Sequence, residues 1–523
     1  MKDITKTINQ IILIGTAIIF GFLTVFAVLI SYVNVDLNRE WPEKVADSFL
    51  LNIIWLMIAV VALFGFHKLC DRVGPREKSK CGWANVRLLI AITCTVLSLC
   101  WIITNGTGPQ ADQYLIIEAA NNFNNGDYSF LQKGEYIGIN QQQLGIVTVL
   151  RILFLIFGPA NYFPFQILNA CSVFFIIYLG SEIVGLITKK NTASDRFVEK
   201  AQLLYCIIVA ICLPIYFYTP FVYGDLLSAG LMIVAIYILI DSFKLERGVC
   251  IRLILLLFIL LFSLAVRTNS IIAIIAMCIV LIISMVSYPD KRRLAGKMLV
   301  VVILAVIVEN VIIHVLYDKH IDEDSHSIPA VLYIAMGMND SKEPWFGAGW
   351  YDGTNNIVFK ENNYDVEATK KEAGRMIRDF KEKSVGNPEF LADFYLRKIT
   401  SQWEAPMYQS LAVNNNVVKK QGALAAWIYD NVDVRIMLEK YMNHFQIFIY
   451  VGVFLYAVMA WKNKQTNIIE NVGLLTILGG FLFSILWEAK VRYVFPYFII
   501  MIPYAVVGWR LLMEQIKRKD EFI

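Results

Sequence analysis

Long apolar runs joined by short polar links dominate the chain, and each run is of a length that suits a bilayer. Crossing roughly 30 Å of hydrocarbon takes about 20 residues of helix. Runs of that kind lie near residues 8–32, 49–66, 86–104, 162–187, 201–218, 226–243, 251–266, 270–286, 297–316, 446–461, 468–486 and 493–513. The pattern predicts an all-α polytopic membrane protein of about twelve transmembrane helices. A further apolar stretch, Leu144–Phe157, is short for a span and carries Arg151. Leu144, Val147, Leu150 and Leu153 fall roughly on one side of it, so it is expected as an interfacial helix ending at Gly158-Pro159, with a tilted span as the alternative. Only residues 317–445 are long enough to fold outside the bilayer. There a charged helical run, Glu367–Lys383, breaks at Gly386-Asn387-Pro388, and a second helix is expected over 389–404. The expected division is an N-terminal membrane module, 1–316, with a catalytic outer loop at 105–161, then a mostly helical extracytoplasmic domain, 317–445, then C-terminal membrane helices, 446–523.

Composition agrees with this reading: 57% of the 523 residues are hydrophobic and 17% charged, with a mean hydropathy of +0.57. No single soluble core could bury so much apolar surface. Lysine and arginine near span ends favour the cytoplasm, and basic links recur at 68–80, 189–200, 244–252, 291–297, 462–464 and 517–519. They place both termini in the cytoplasm and loops 33–48, 105–161, 219–225, 267–269, 317–445 and 487–492 outside the plasma membrane. The net charge of +4 then reports topology, and no nucleic-acid partner is expected. The first apolar run has no small-residue cleavage site behind it and reads as an uncleaved helix. All nine cysteines fall in spans or cytoplasmic links, which gives no support to an external disulfide framework.

Candidate chemistry collects in the outer loops. Asp112, followed by Gln113, could act as a general base or simply cap the helix after it. Tyr223 and Asp225 bring a second carboxylate to the same side, with capping again the alternative. Arg267 sits in a hairpin where the charge bias disfavours arginine, so an anion is expected to meet it; a guanidinium fork suits a lipid-linked phosphate, or ordinary headgroups. Glu488, Lys490 and Arg492 crowd one short turn, where Lys490 and Arg492 are further phosphate candidates and Glu488 and Arg492 are spaced for a helical salt bridge. Trp345, Trp350, Tyr351 and Trp403 could stack on sugars or anchor at the interface. The five histidines have no ligand spacing, and no glycine-rich nucleotide loop appears, so neither a metal, a cofactor nor a nucleotide donor is expected.

The order of these residues resembles the polytopic glycosyltransferases of the GT-C fold, among them the protein O-mannosyltransferases and the aminoarabinose transferase of lipid A. The resemblance rests on Asp112-Gln113, Gly126-Asp127-Tyr128, the surface helix ending Leu155-Ile156-Phe157-Gly158, the acid at Asp225, and Glu488 with Arg492-Tyr493. It implies an inverting transfer of a monosaccharide from a polyprenyl-phosphate donor to a cell-envelope glycopolymer, lipid or protein. Asp112 and Asp225 would be the catalytic acids, Arg267, Lys490 and Arg492 the donor-phosphate ligands, and Gln113, Gln143, Tyr223, Glu488 and Tyr493 the substrate contacts. The chain departs from the family in two ways: it has two extra helices before the catalytic loop, and Gln141-Gln142-Gln143 stands where several members carry lysine-proline. A lipid-linked oligosaccharide flippase, whose charges belong at the membrane midplane on interrupted helices, and a polysaccharide polymerase are the alternative readings.

Overall fold

The apolar runs form helices because nothing else satisfies backbone polar groups in hydrocarbon, and the computed structural model describes them across residues 2–73, 83–188, 195–244, 248–340, 347–464 and 467–520. Trp345, Cys81 and the tips of three basic links (74–82, 189–194 and 245–247) lie outside the described residues. Among those described, eleven helices are long and apolar enough to cross a membrane, and the protein is an all-α multi-pass membrane protein.

The run at 201–218 is not one helix. It forms Asp195–Ala210, then breaks, and a single turn follows at Pro214–Phe217. Pro214 has no amide hydrogen and disfavours helical geometry before it. The segment still traverses the bundle. Gln166 and Asn169, at the start of the preceding helix Phe163–Thr188, donate to the carbonyls of Pro220 and Thr219 at 2.9 and 3.1 Å.

Asp225–Lys244 and Phe495–Asp520 make the centre of the bundle, while Phe49–Val73 and Arg292–Tyr317 lie at its edge with exposed apolar faces. Lipid tails are as apolar as leucine, so close contact rather than apolar burial decides which helices pack tightly. Gly508 shows this, because a Cβ there would sit 1.9 Å from the Gly452 carbonyl oxygen of the neighbouring helix Val432–Lys462.

The remaining segments gather at one end of the bundle. A two-stranded antiparallel hairpin, Ile30–Val33 with Glu43–Ala46, occupies the loop between the first two helices. The first helix therefore ends at Leu29, earlier than its apolar run. Main-chain bonds fix the hairpin: Tyr32 N–H donates to the Glu404 carbonyl at 2.7 Å, and Asn34 N–H to the Glu439 carboxylate at 3.0 Å. Helix Val432–Lys462 begins well before residue 446, so the expected domain boundary there cuts a continuous element. Its early charges hide it from a hydropathy window. Arg435 holds the Val35 carbonyl at 2.9 Å and Glu439 holds Asn34, so both are structural ties to the hairpin.

The expected helices of the large loop appear at Val366–Ser384 and Pro388–Trp403, joined by shorter ones at Ala330–Met336 and Thr354–Glu361. Asp365 and Asn387 cap the two longer helices by accepting from Ala368 N–H and Phe390 N–H. Trp350 and Trp403 are fully buried, Trp403 against Phe481 at 5.3 Å, so they are packing residues with no face free for a sugar. Leu144–Phe157 is a helix with the expected limits, turned by 99° from the segment before it. Arg151 lies over the rings of Phe123, Tyr128 and Tyr317, which ties this helix down.

Candidate functional site

Ala111 has φ +48°, a conformation that alanine rarely adopts, and it turns the chain so that Asp112 becomes the first residue of helix Asp112–Asn124. Asp112 caps nothing. Its carboxylate instead faces Arg492, with Nη2 3.4 Å from Oδ2, and accepts a hydrogen bond from the Tyr136 hydroxyl. The next side chain fixes the frame: Gln113 donates to the Val413 carbonyl at 2.9 Å and accepts from Val222 N–H at 2.8 Å. With both ends engaged by backbone, Gln113 joins three loops.

The second carboxylate lies deeper. Gly224 packs so closely on Val266 that a Cβ would fall 1.9 Å from that residue's carbonyl oxygen, and this approach brings Asp225 to Arg267. Arg267 Nη2 is 3.1 Å from Asp225 Oδ1 but out of line for a hydrogen bond, so the contact is Coulombic, with Asp225 fully buried. Arg267 also lies over Tyr223 and Tyr493 at 5.1 and 5.3 Å, and Arg492 lies over the same rings at 4.9 and 5.8 Å. Two buried guanidiniums thus share two tyrosine faces, a cation–π arrangement that eases their desolvation. Gln143 donates to the Tyr223 hydroxyl and completes this layer.

No helical turn links Glu488 to Arg492. Lys490 is extended, and only Val491–Tyr493 coils. Residues 487–490 instead run beside the large loop, with Ala489 N–H on the Gly349 carbonyl at 2.7 Å and Tyr351 N–H on the Ala489 carbonyl at 3.2 Å. Glu488 accepts from the Tyr493 hydroxyl at 2.8 Å. Lys490 Nζ sits 3.9 Å from the centre of the Tyr351 ring and 3.6 Å from a Glu40 oxygen of the hairpin.

These charges set one another's protonation. Burial alone would raise the Asp112 carboxyl, but Arg492, Lys490 and the Tyr136 hydroxyl outweigh it and hold the group below the usual carboxylate range. Burial pushes Glu488 up and Lys490 down, the latter with help from the Arg492 charge. Asp112 is therefore held in its ionised form. Its side chain is 39% exposed, into a cavity of about 280 Å³ whose wall includes Glu40, Gln110, Gln113, Gln409, Lys490 and Arg492.

All ten residues expected at the site belong to this one network, which joins chain segments near residues 112, 143, 224, 267 and 490. Only Asp112, Gln113, Lys490 and Arg492 reach the cavity wall. Asp127 and Tyr128, part of the resemblance, form a turn in which Asp127 accepts from Ser129 N–H and Tyr128 stacks on Phe123. Tyr136, Glu40 and Gln409 were missed, although Arg39-Glu40 does stand in a loop assigned to the same side as Asp112; Tyr351, expected to stack on a sugar or anchor at the interface, lies against Lys490. Among the described residues no group of three histidine, cysteine, aspartate or glutamate side chains could hold a metal ion. No family model, curated protein or solved structure matches the chain.

Proposed function

We propose that the protein is a membrane glycosyltransferase of GT-C type, which moves a monosaccharide from a polyprenyl-phosphate donor to a cell-envelope acceptor at the outer face of the plasma membrane, both termini being cytoplasmic. One observation carries the reading. An ionised, partly exposed carboxylate, Asp112, lies at a polar cavity 3.4 Å from a buried guanidinium, Arg492, that comes from a loop far away in sequence.

The chemistry follows from that pairing. An acceptor hydroxyl oxygen attacks the anomeric carbon and forms the new glycosidic bond while the bond from that carbon to the donor phosphate oxygen breaks. The hydroxyl proton passes to Asp112, and the electron pair of the broken bond leaves on the phosphate, where Arg492 and Lys490 meet the developing charge. Their contacts to Asp112 and Glu40, at 3.4 and 3.6 Å, are longer than the roughly 2.8 Å of a tight charged pair. A phosphate can therefore enter between them. A low-pKa carboxylate is a weak base, but the acceptor proton becomes acidic as its oxygen bonds to carbon, so transfer is favourable late in the step. Asp225 has no access to the cavity and acts by holding Arg267, whose charge supports the phosphate side from behind the tyrosine layer. General-base help is worth about 10² to 10⁴ in rate, and each preorganised charge at the leaving group about 10² to 10³.

The test is purified full-length protein supplied with radiolabelled polyprenyl-phosphate monosaccharide. Sugar should leave the lipid for an acceptor, and Asp112→Asn should lower the rate at least about 100-fold while the variant still inserts and folds. Full activity of that variant would remove the base from the mechanism.

A further inference from the structure

Several hydrogen-bond acceptors on the cavity wall are left without a donor. Gln110 donates its amide N–H to the Ala412 carbonyl at 2.9 Å, and Gln409 donates its own to the Glu40 carbonyl. A backbone carbonyl only accepts, so in both side chains the nitrogen is the engaged end and the oxygen is the end left over. No described residue donates to either oxygen. Gln409 is 7% exposed as a whole, but its oxygen is not fully enclosed, so a ligand or water in the cavity that Gln409 lines can donate to it. The backbone is strained to put it there, since Tyr408 and Gln409 have φ of +50° and +59°. Glu40, held at its backbone by Gln409, leaves a carboxylate 59% exposed on the same wall, and Asp112 adds another. The wall thus offers several acceptors, while the cations Lys490 and Arg492 are 6% and 8% exposed and the third, Arg39, is paired with Asp36 and Glu43.

Resting on the transferase reading, we infer that Glu40, Gln110 and Gln409 form the acceptor subsite, and that the acceptor is a saccharide presenting several neighbouring hydroxyls. A sugar hydroxyl must donate to something when it loses water, and two vicinal hydroxyls match the two oxygens of one carboxylate. A serine or threonine side chain brings one such donor and would leave the other oxygens unmet. At roughly 30 Å³ per water, the cavity of about 280 Å³ holds about nine waters, enough volume for one terminal sugar ring. Glu40 is then the specificity-determining residue, contributed by the hairpin between the first two helices.

Full-length wild-type protein and Glu40→Gln are compared in lipid nanodiscs with a pool of chitotriose, mannotriose and maltotriose, a threonine-rich peptide and phosphatidylethanolamine. Binding is read by saturation-transfer NMR without donor, and turnover with labelled polyprenyl-phosphate monosaccharide. Support is a trisaccharide that binds and accepts sugar, with Glu40→Gln raising its dissociation constant, read without donor, and its acceptor KM about 10-fold. If peptide or lipid takes the sugar while no trisaccharide binds or competes, the inference is overturned and the transferase reading stands. Binding that Glu40→Gln weakens, with no sugar leaving the donor, keeps the saccharide subsite and removes the transferase reading. Absence of binding by every trisaccharide, or binding indifferent to Glu40→Gln, overturns the inference.

Discussion

Asp112 depends on a strained neighbour. Ala111, at φ +48°, holds a conformation that costs on the order of 1–3 kcal/mol and is kept only because the surrounding contacts fix it. The result is a carboxylate whose acidity is set by Arg492. Because its folded pKa is depressed, the ionised form persists through neutrality, and the stability it contributes is lost only as pH falls through that low value. The rate of the wild-type protein should therefore be flat from about pH 8 down to about pH 5. In Arg492→Gln the burial that raises the pKa is less opposed, and the acid limb should move upward into that range. Measured kcat/KM against pH would decide; superimposable profiles would contradict the pairing. The sequence revealed Arg492, Lys490 and Arg267 because charge at a span end is conspicuous. Glu40, Tyr136 and Gln409 are ordinary polar residues in polar loops, and only the tertiary contacts distinguish them.

Helices and their ends show the same division. The interruption at Pro214 was readable in principle but lay inside a run that satisfied the apolar template, and the start of Val432–Lys462 was hidden by Asp433, Arg435, Glu439 and Lys440. Both misses have one cause: hydropathy averages over a window, whereas hydrogen bonding acts at single residues. Pro388–Trp403 docks through one such contact. Lys398, fully buried, donates to the Gly337 carbonyl and, at 3.0 Å, to the Ile485 carbonyl, the latter in the last turn of helix Val472–Leu486. Cations suit helix C-termini, yet burial pushes this ammonium down to about 7. Between that pH and about 10.4 the unfolded chain binds a proton that the folded chain lacks, so stability rises with pH across the window. The unfolding temperature of the wild-type protein should increase from about pH 7 to about pH 9. In Lys398→Met that increase should shrink; an unchanged slope would show that Lys398 does not titrate there.

At the scale of the whole molecule, the membrane class and most spans follow from the amount and spacing of apolar residues, which no soluble fold accommodates. The meeting of distant loops does not follow, because residue order says little about which helix ends are neighbours. The hairpin, the Asp112 loop, the Arg267 turn and the 487–492 segment share one end of the bundle. In the proposed topology, which follows the charge bias, that end faces the cell exterior. In intact cells a membrane-impermeant thiol reagent should label Asn38→Cys, in a background cleared of native cysteines, and should not label Asn463→Cys until the cells are opened. The reverse pattern would turn the site toward the cytoplasm.

The main-chain bonds between Ala489 and residues 349–351 have a mechanical consequence. Lys490 and Arg492 ride on a strip of backbone stitched to the large loop, so any tilt of that lobe on the bundle would carry both cations with it. Docking of the lobe and placement of the charges are thereby one coordinate, and a change that displaces the lobe should lower turnover without touching a reacting atom.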